Sequence, residues 1–219
     1  FSEKLLEMGS SFSNKVWNAS KFVLSNLEDF DYSTSVMDLE FKLEDRWILS
    51  KLQSSSKKIN EAMENYELDT AAKTAYEFFR GDFCDWYVEI AKTRVYGNEG
   101  IDKITAQWIL RHVLDNGLRI LHPFMPYITE EIWQKVKLGD ETIMLVEFPE
   151  EDKSLVDTNS EKEFDYLREV ITAIRNIWGE ANVSPSRKIE VMFKTSDATE
   201  NVILESNAKI LDKLANVEK

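Results

Sequence analysis

The stretch DTAAKTAYEFFRGDFCDWYVEIAKTRVY, residues 69–96, decides the architecture. Ala72, Ala75, Phe79, Phe83, Trp86 and Ile90 recur at helical spacing on one side. Cys84, Val88, Ala91 and Val95 form a second stripe on the opposite side. An ordinary surface helix is apolar along one stripe, whereas a helix apolar on two sides sits between other elements. Asp69 is placed to cap its start, and Gly97 and Gly100 break the chain after it. The surroundings to expect are other helices.

Both neighbouring regions supply them. All four prolines lie between residues 123 and 185, so the first 120 residues carry almost no helix breakers. A first helix spans roughly 2–26, with Leu5, Phe12, Val16, Ala19, Val23 and Leu27 on one face. A polar stretch with Asp29, Asp31, Ser33, Thr34 and Ser35 leads to a second helix over roughly 41–65. Its stripe is Ile48, Leu52, Ile59 and Met63, interrupted by Ser55. A helix over roughly 102–121 turns Leu110, Leu114, Leu118 and Leu121 inward. The turn His122-Pro123-Phe124-Met125-Pro126 then opens a fifth helix, 126–137, at Pro126. Five helices with short links predict an antiparallel bundle over residues 1–139.

The texture changes after Gly139. Ile143-Met144-Leu145-Val146-Glu147-Phe148 ends at Pro149 and reads as a strand, and Lys188-Ile189-Glu190-Val191-Met192-Phe193 alternates as another. Between them lie a polar loop, 150–160, and a helix over roughly 161–182 with Phe164, Leu167, Ile171, Ile174 and Trp178 in register. This predicts a small α+β, βαβ-like appendage over residues 140–219, its last twenty residues forming one or two short helices. The fold class is therefore mainly α, a bundle with a small mixed appendage. The chain starts at Phe1 without a methionine and reads as a piece of a longer protein.

Composition narrows the function classes. No apolar run approaches the roughly 20 residues of a membrane span, and the amphipathic first helix does not resemble a signal peptide. The single cysteine, Cys84, has no internal partner for a disulfide, which fits a reducing cytoplasm. Net charge is -13, from 40 acidic and 27 basic residues, which argues against a broad nonspecific hold on nucleic acid. Any nucleic-acid partner has to be met through a few directed contacts.

One flank of the first helix could make them. At about 100° per residue, Lys15 and Phe22 project away from its apolar stripe and close to each other. Asn18 lies further round the same side, and Trp17 lies on the opposite one. A phenyl ring, an ammonium and an amide suit an unpaired nucleobase, for stacking, for phosphate or base oxygens, and for a base edge. The alternative is that the off-stripe ring packs against a neighbouring helix. Trp17 is expected to hold the bundle together.

Catalytic chemistry is sparse. His112 and His122 sit in no metal-ligand pattern and read as structural. There is no Gly-x-Ser-x-Gly elbow and no glycine-rich phosphate loop among seven scattered glycines. Asp82 and Asp85 disfavour a thiolate at Cys84, which reads as an inert thiol. No catalytic, cofactor or metal residue is assigned.

Five segments together carry a family likeness. Asn14-Lys15-Val16-Trp17-Asn18-Ala19-Ser20-Lys21-Phe22-Val23 resembles the first helix of the anticodon-binding domain of the valyl-tRNA synthetases, and Asp45-Arg46-Trp47-Ile48-Leu49-Ser50-Lys51-Leu52 resembles the start of its second. Phe83-Cys84-Asp85-Trp86-Tyr87-Val88-Glu89 is similar to a third family segment. Leu121-His122-Pro123-Phe124-Met125-Pro126-Tyr127-Ile128-Thr129-Glu130-Glu131-Ile132-Trp133 is similar to a fourth, shared with the isoleucine and leucine enzymes. Ile174-Arg175-Asn176 with Asn182-Val183-Ser184-Pro185-Ser186 resembles a late segment of the valine enzymes. The likeness extends over roughly residues 3–195.

The resemblance implies a module that holds the anticodon stem-loop of a valine tRNA within a class I aminoacyl-tRNA synthetase. It places anticodon contacts on Lys15, Phe22 and Val88, with Asn18, Lys4 and Lys92 as further candidates. Many relatives carry arginine where this chain has Lys21, and lysine lacks the planar bidentate fork. The His-x-Gly-His and Lys-Met-Ser-Lys-Ser signatures of the catalytic domain are missing, as is a carboxy-terminal coiled-coil arm. The implied parent uses ATP with Mg and contains catalytic and editing domains. This chain is expected to be inactive alone and to hold no cofactor. The competing readings are a helical protein-interaction scaffold, or the same module from an isoleucyl- or leucyl-tRNA synthetase.

Overall fold

A computed structural model describes residues 3–97, 99–136, 142–182, 189–195 and 197–218. The side chains of Leu5, Ile189 and Glu218 also lie outside the description, as do residues 183–186 of the late family segment. The chain divides into two compact units, residues 1–157 and 158–219, a boundary later in the chain than the change of texture at Gly139 suggests.

The first unit is the expected bundle. Helices α1 (Glu3–Ser25), α2 (Leu43–Glu64), α3 (Leu68–Tyr76), α4 (Val88–Val95), α5 (Ile101–Leu121) and α6 (Pro126–Val136) follow one another. Glu77–Tyr87 continues α3 into α4 as a π-helical segment, so 68–95 forms a single rod. The rod is buried on two sides as its stripes require: Phe79, Phe83, Tyr87 and Ala91 are fully buried, and Cys84, Val88 and Val95 nearly so. Phe79, Phe83 and Tyr87 recur every four residues, and the wider i→i+5 winding of a π-helix keeps that spacing facing inward. Asp69 does not cap α3, which begins at Leu68. It lies in the first turn, where a carboxylate still complements the helix dipole. Gly117 of α5 faces Phe79, and a Cβ there would come within 2.8 Å of the ring. The bare glycine lets the two helices approach.

Phe12, Val16, Ala19 and Val23 of α1, and Leu27 just past its end, are buried as the stripe predicts. Trp17 is half-buried, with Lys135 Nζ of α6 4.6 Å from the centre of its ring.

The expected strand at 143–148 does not form. Ile143–Leu145 is a 3-10 turn started by the Thr142 side chain, which accepts from the Met144 N–H. Glu130 of α6 accepts from the Thr142 hydroxyl at 2.9 Å and from the Ile143 N–H at 3.3 Å. These side-chain bonds win over an extended segment with no partner strand. Polar residues of α2 tie down the chain from Pro149 to Asp157. Asn60 donates to the Pro149 carbonyl at 2.8 Å, Gln53 accepts from the Asp152 N–H at 2.9 Å, and Ser50 accepts from the Asp157 N–H at 2.9 Å. Residues 142–157 are thus a strap on the bundle.

The second unit contains α7 (Thr158–Glu180), α8 (Ala198–Ser206) and α9 (Ala208–Ala215). Phe164, Leu167, Ile171 and Ile174 of α7 are buried, as are Leu204, Leu211 and Leu214. Among the described residues of the second expected strand, β1 (Ile189–Glu190) alone is extended in a ladder; it pairs in parallel with β2 (Val217–Glu218). With 143–148 in the first unit and not a strand, the βαβ-like appendage gives way, among the described residues, to a helical unit carrying one two-residue ladder.

Candidate nucleic-acid interface

Lys15 and Phe22 both face the π-segment and α4. Lys15 Nζ pairs with the Asp85 carboxylate, and Phe22 lies against Lys92 and Tyr96. The step from Lys15 to Phe22 equals the step from Asp85 to Lys92, so α1 and the α3–α4 rod run parallel along this face. Such alignment is what an up-down-up order of the first three rods produces.

At one end of the face stands the Lys15–Asp85 pair, with side chains 37% and 46% exposed. Exposed pairs of this kind contribute at most about 1 kcal/mol and exchange readily for another anion. At the other end the Phe22 and Tyr96 ring centroids are 6.1 Å apart with the planes at 77°. Lys92 Nζ lies 5.8 Å from the Phe22 centroid and 2.6 Å from Glu89 Oε1. Asn18 is exposed between the two ends of this flank, and Lys4 is exposed near the start of α1. Lys21 is exposed as well. Val88 is different, for it is only 5% exposed and belongs to the core stripe of the rod. It offers almost no surface to a base.

Tyr96 has no place among the sequence-based candidates. Its signal is the i,i+4 spacing from Lys92, which puts both on one flank of α4. It ends the helix rather than belonging to either stripe, so periodicity passes over it.

The same rod also carries part of a buried charged cluster. Asp45, fully buried near the start of α2, accepts from Tyr87 Oη at 2.7 Å and from Arg94 Nη1 at 2.6 Å. Its other oxygen accepts from the Lys42 N–H at 3.0 Å, closing the first turn of α2. Arg94 Nε reaches Asp102 at 2.8 Å, which binds α4 to the start of α5. Glu44 is 3.5 Å from Arg94, and burial, with Asp45 beside it, raises its carboxyl above the usual range. Burial likewise holds Tyr87 protonated, its hydroxyl donating to Asp45. This cluster joins α2, α4 and α5.

The other groups that carry chemistry in enzymes are occupied structurally. Burial pushes the Cys84 thiol up to about 12. His112 stacks on Trp108 with centroids 4.8 Å apart, and His122 Nδ1 is 2.7 Å from the Thr129 hydroxyl. Among the described residues, no group of three or more His, Cys, Asp or Glu side chains is placed to hold a metal ion, and no helix is long and apolar enough to cross a membrane.

Comparison with known proteins supplies the remaining constraint. Residues 45–193 match the family described as the anticodon-binding domain of tRNA ligase. The chain is 49% identical to the valine--tRNA ligase of Fusobacterium nucleatum over 223 aligned residues, covering 100% of this chain and 25% of that protein. It is 41% identical to the valine--tRNA ligase of Thermotoga maritima, covering 95% and 23%. For the valine--tRNA ligase of Listeria monocytogenes the identity is 38%, covering 100% and 25%. The chain spans about a quarter of the length of these curated relatives.

Proposed function

Because the chain belongs to the anticodon-binding domain family of the tRNA ligases, we propose that it recognises the anticodon stem-loop of a valine tRNA. The parent is then a valine--tRNA ligase. The observation that carries the reading is the alignment of Lys15 and Phe22 with Lys92 along one open face of the bundle. The ammonium groups meet phosphate or base oxygens, the ring wedges beside a splayed base, and Asn18 meets a base edge. Lys4, exposed near the start of α1, is assigned a phosphate contact. Val88 serves by packing under this face. The bundle, residues 1–139 in the sequence-based division, carries this role.

On this reading the chain itself performs no chemistry and holds no cofactor. Holding the anticodon orients the acceptor end toward catalytic and editing domains elsewhere in the parent, where ATP with Mg serves aminoacylation. The place of work is the cytoplasm, where translation proceeds. Every relative compared is a valine--tRNA ligase, which favours valine over an isoleucine or leucine enzyme and over a protein scaffold.

The test uses the full-length ligase. Phe22→Ala weakens tRNA binding by about 1–3 kcal/mol, the worth of one base stack, and leaves amino-acid activation without tRNA intact. Equal retention of valine and phenylalanine tRNAs by the wild-type protein across a salt series would sink the reading.

A further inference from the structure

Phe22 and Tyr96 meet edge to face, yet only one of the two rings is open. Phe22 is half-buried, with the Lys92 ammonium 5.8 Å from its centroid and Tyr96 against it at 6.1 Å. Tyr96 is 70% exposed. Stacking needs a flat, accessible face, and Tyr96 is the ring that has one. Its backbone is held: it caps α4 in helical conformation, and its N–H donates to the Lys92 carbonyl at 3.2 Å. An aromatic side chain on such a fixed stub loses little conformational freedom on binding.

We propose that Tyr96 supplies the stacking plane for one unpaired base of a single-stranded RNA loop, with Phe22 as the buttress that holds that plane in position. The inference rests on the anticodon reading and divides its aromatic role between two residues. Lys92, one turn before Tyr96 on the same flank, stands beside the stacked base and meets its phosphate or an exocyclic oxygen. Discrimination at this position follows stacking strength, because every base has a face to offer and the ring reads no edge.

The experiment uses the full-length ligase and a valine anticodon stem-loop hairpin carrying 2-aminopurine at successive loop positions. In the wild type, fluorescence at one position is quenched on binding. Tyr96→Ala lowers hairpin affinity roughly tenfold and abolishes that quench, Tyr96→Phe retains both, and thermal stability is unchanged in each. If Phe22→Ala weakens binding while Tyr96→Ala does not, the inference falls and the anticodon reading stands. If neither substitution weakens binding, the anticodon reading itself falls and takes Tyr96 with it. If Tyr96→Phe loses as much as Tyr96→Ala, the hydroxyl and not the ring is the contact, which overturns stacking. A fall in thermal stability with Tyr96→Ala matched by lost amino-acid activation assigns the residue to the fold and overturns the inference equally.

Discussion

Lys92 and Arg94 stand two positions apart on α4 and face opposite environments. Lys92 is on the open flank, its side chain 37% exposed, paired with Glu89 on its own helix and standing over Phe22. Arg94 is 6% exposed and joins three helices through Asp45, Glu44 and Asp102. The same charge thus serves two purposes, and burial decides which. A buried cation without its carboxylates, or the carboxylates without it, is strongly unfavourable, so that cluster is committed to the fold. An exposed cation held by one carboxylate gives that partner up at little cost.

Substitutions separate the two regions. Arg94→Met leaves Asp45 and Glu44 buried without their counter-cation, and should cost about 3–5 kcal/mol in denaturant unfolding. An unchanged midpoint would break the comparison. A second titratable group, the half-buried His112, is pushed down from 6.5 to about 4, first by desolvation and then by Arg119 and Arg111. Its folded state favours the neutral ring. Its contribution is therefore complete above pH 6.5 and is lost as pH falls toward 4, by about 3 kcal/mol at about 1.4 kcal/mol per unit. Thermal unfolding across that window should show the loss, and His112→Gln should flatten it. Gly117→Ala drives a methyl against the fully buried Phe79 ring and should destabilise by about 1–3 kcal/mol, seen as a lowered denaturant midpoint. Lys15→Ala lies at the other extreme. Stability should move by no more than about 0.5 kcal/mol, while the salt dependence of tRNA binding should lose roughly one unit of slope. A large loss of stability there would place Lys15 with Arg94 and remove the distinction.

How far the sequence could be read depends on which interactions are local. The stripe of the first helix was legible over its described residues, since Phe12, Val16, Ala19, Val23 and Leu27 need only helical spacing to be recognised and these five are buried. Lys15 and Phe22 could be found by elimination from that stripe, as could their position on a flank. Val88 was legible as an apolar residue on a second stripe, but its burial depends on the helices packed against it. The strand expected at 143–148 failed because alternation describes a side-chain pattern and not a partner. Ser50, Gln53 and Asn60, polar residues of α2 outside its expected stripe, are the groups that hold residues 149–157 in place. Asp45, Tyr87 and Arg94 meet across 42 and 49 positions of sequence, and nothing in their neighbours announces it.

By itself, then, the sequence determined the helices, their inward faces and the two residues displaced from the first stripe. These rest on periodicity, breakers and residue chemistry, all of which act within a few turns of chain. Tertiary structure alone decided that α3 runs through a π-helical segment into α4, that residues 142–157 form a strap, and that Arg94 is buried while Lys92 is not. It also brought Tyr96 beside Phe22. Those outcomes depend on which helices meet and in what register, and contact between residues far apart in the chain is fixed by packing rather than by any local preference.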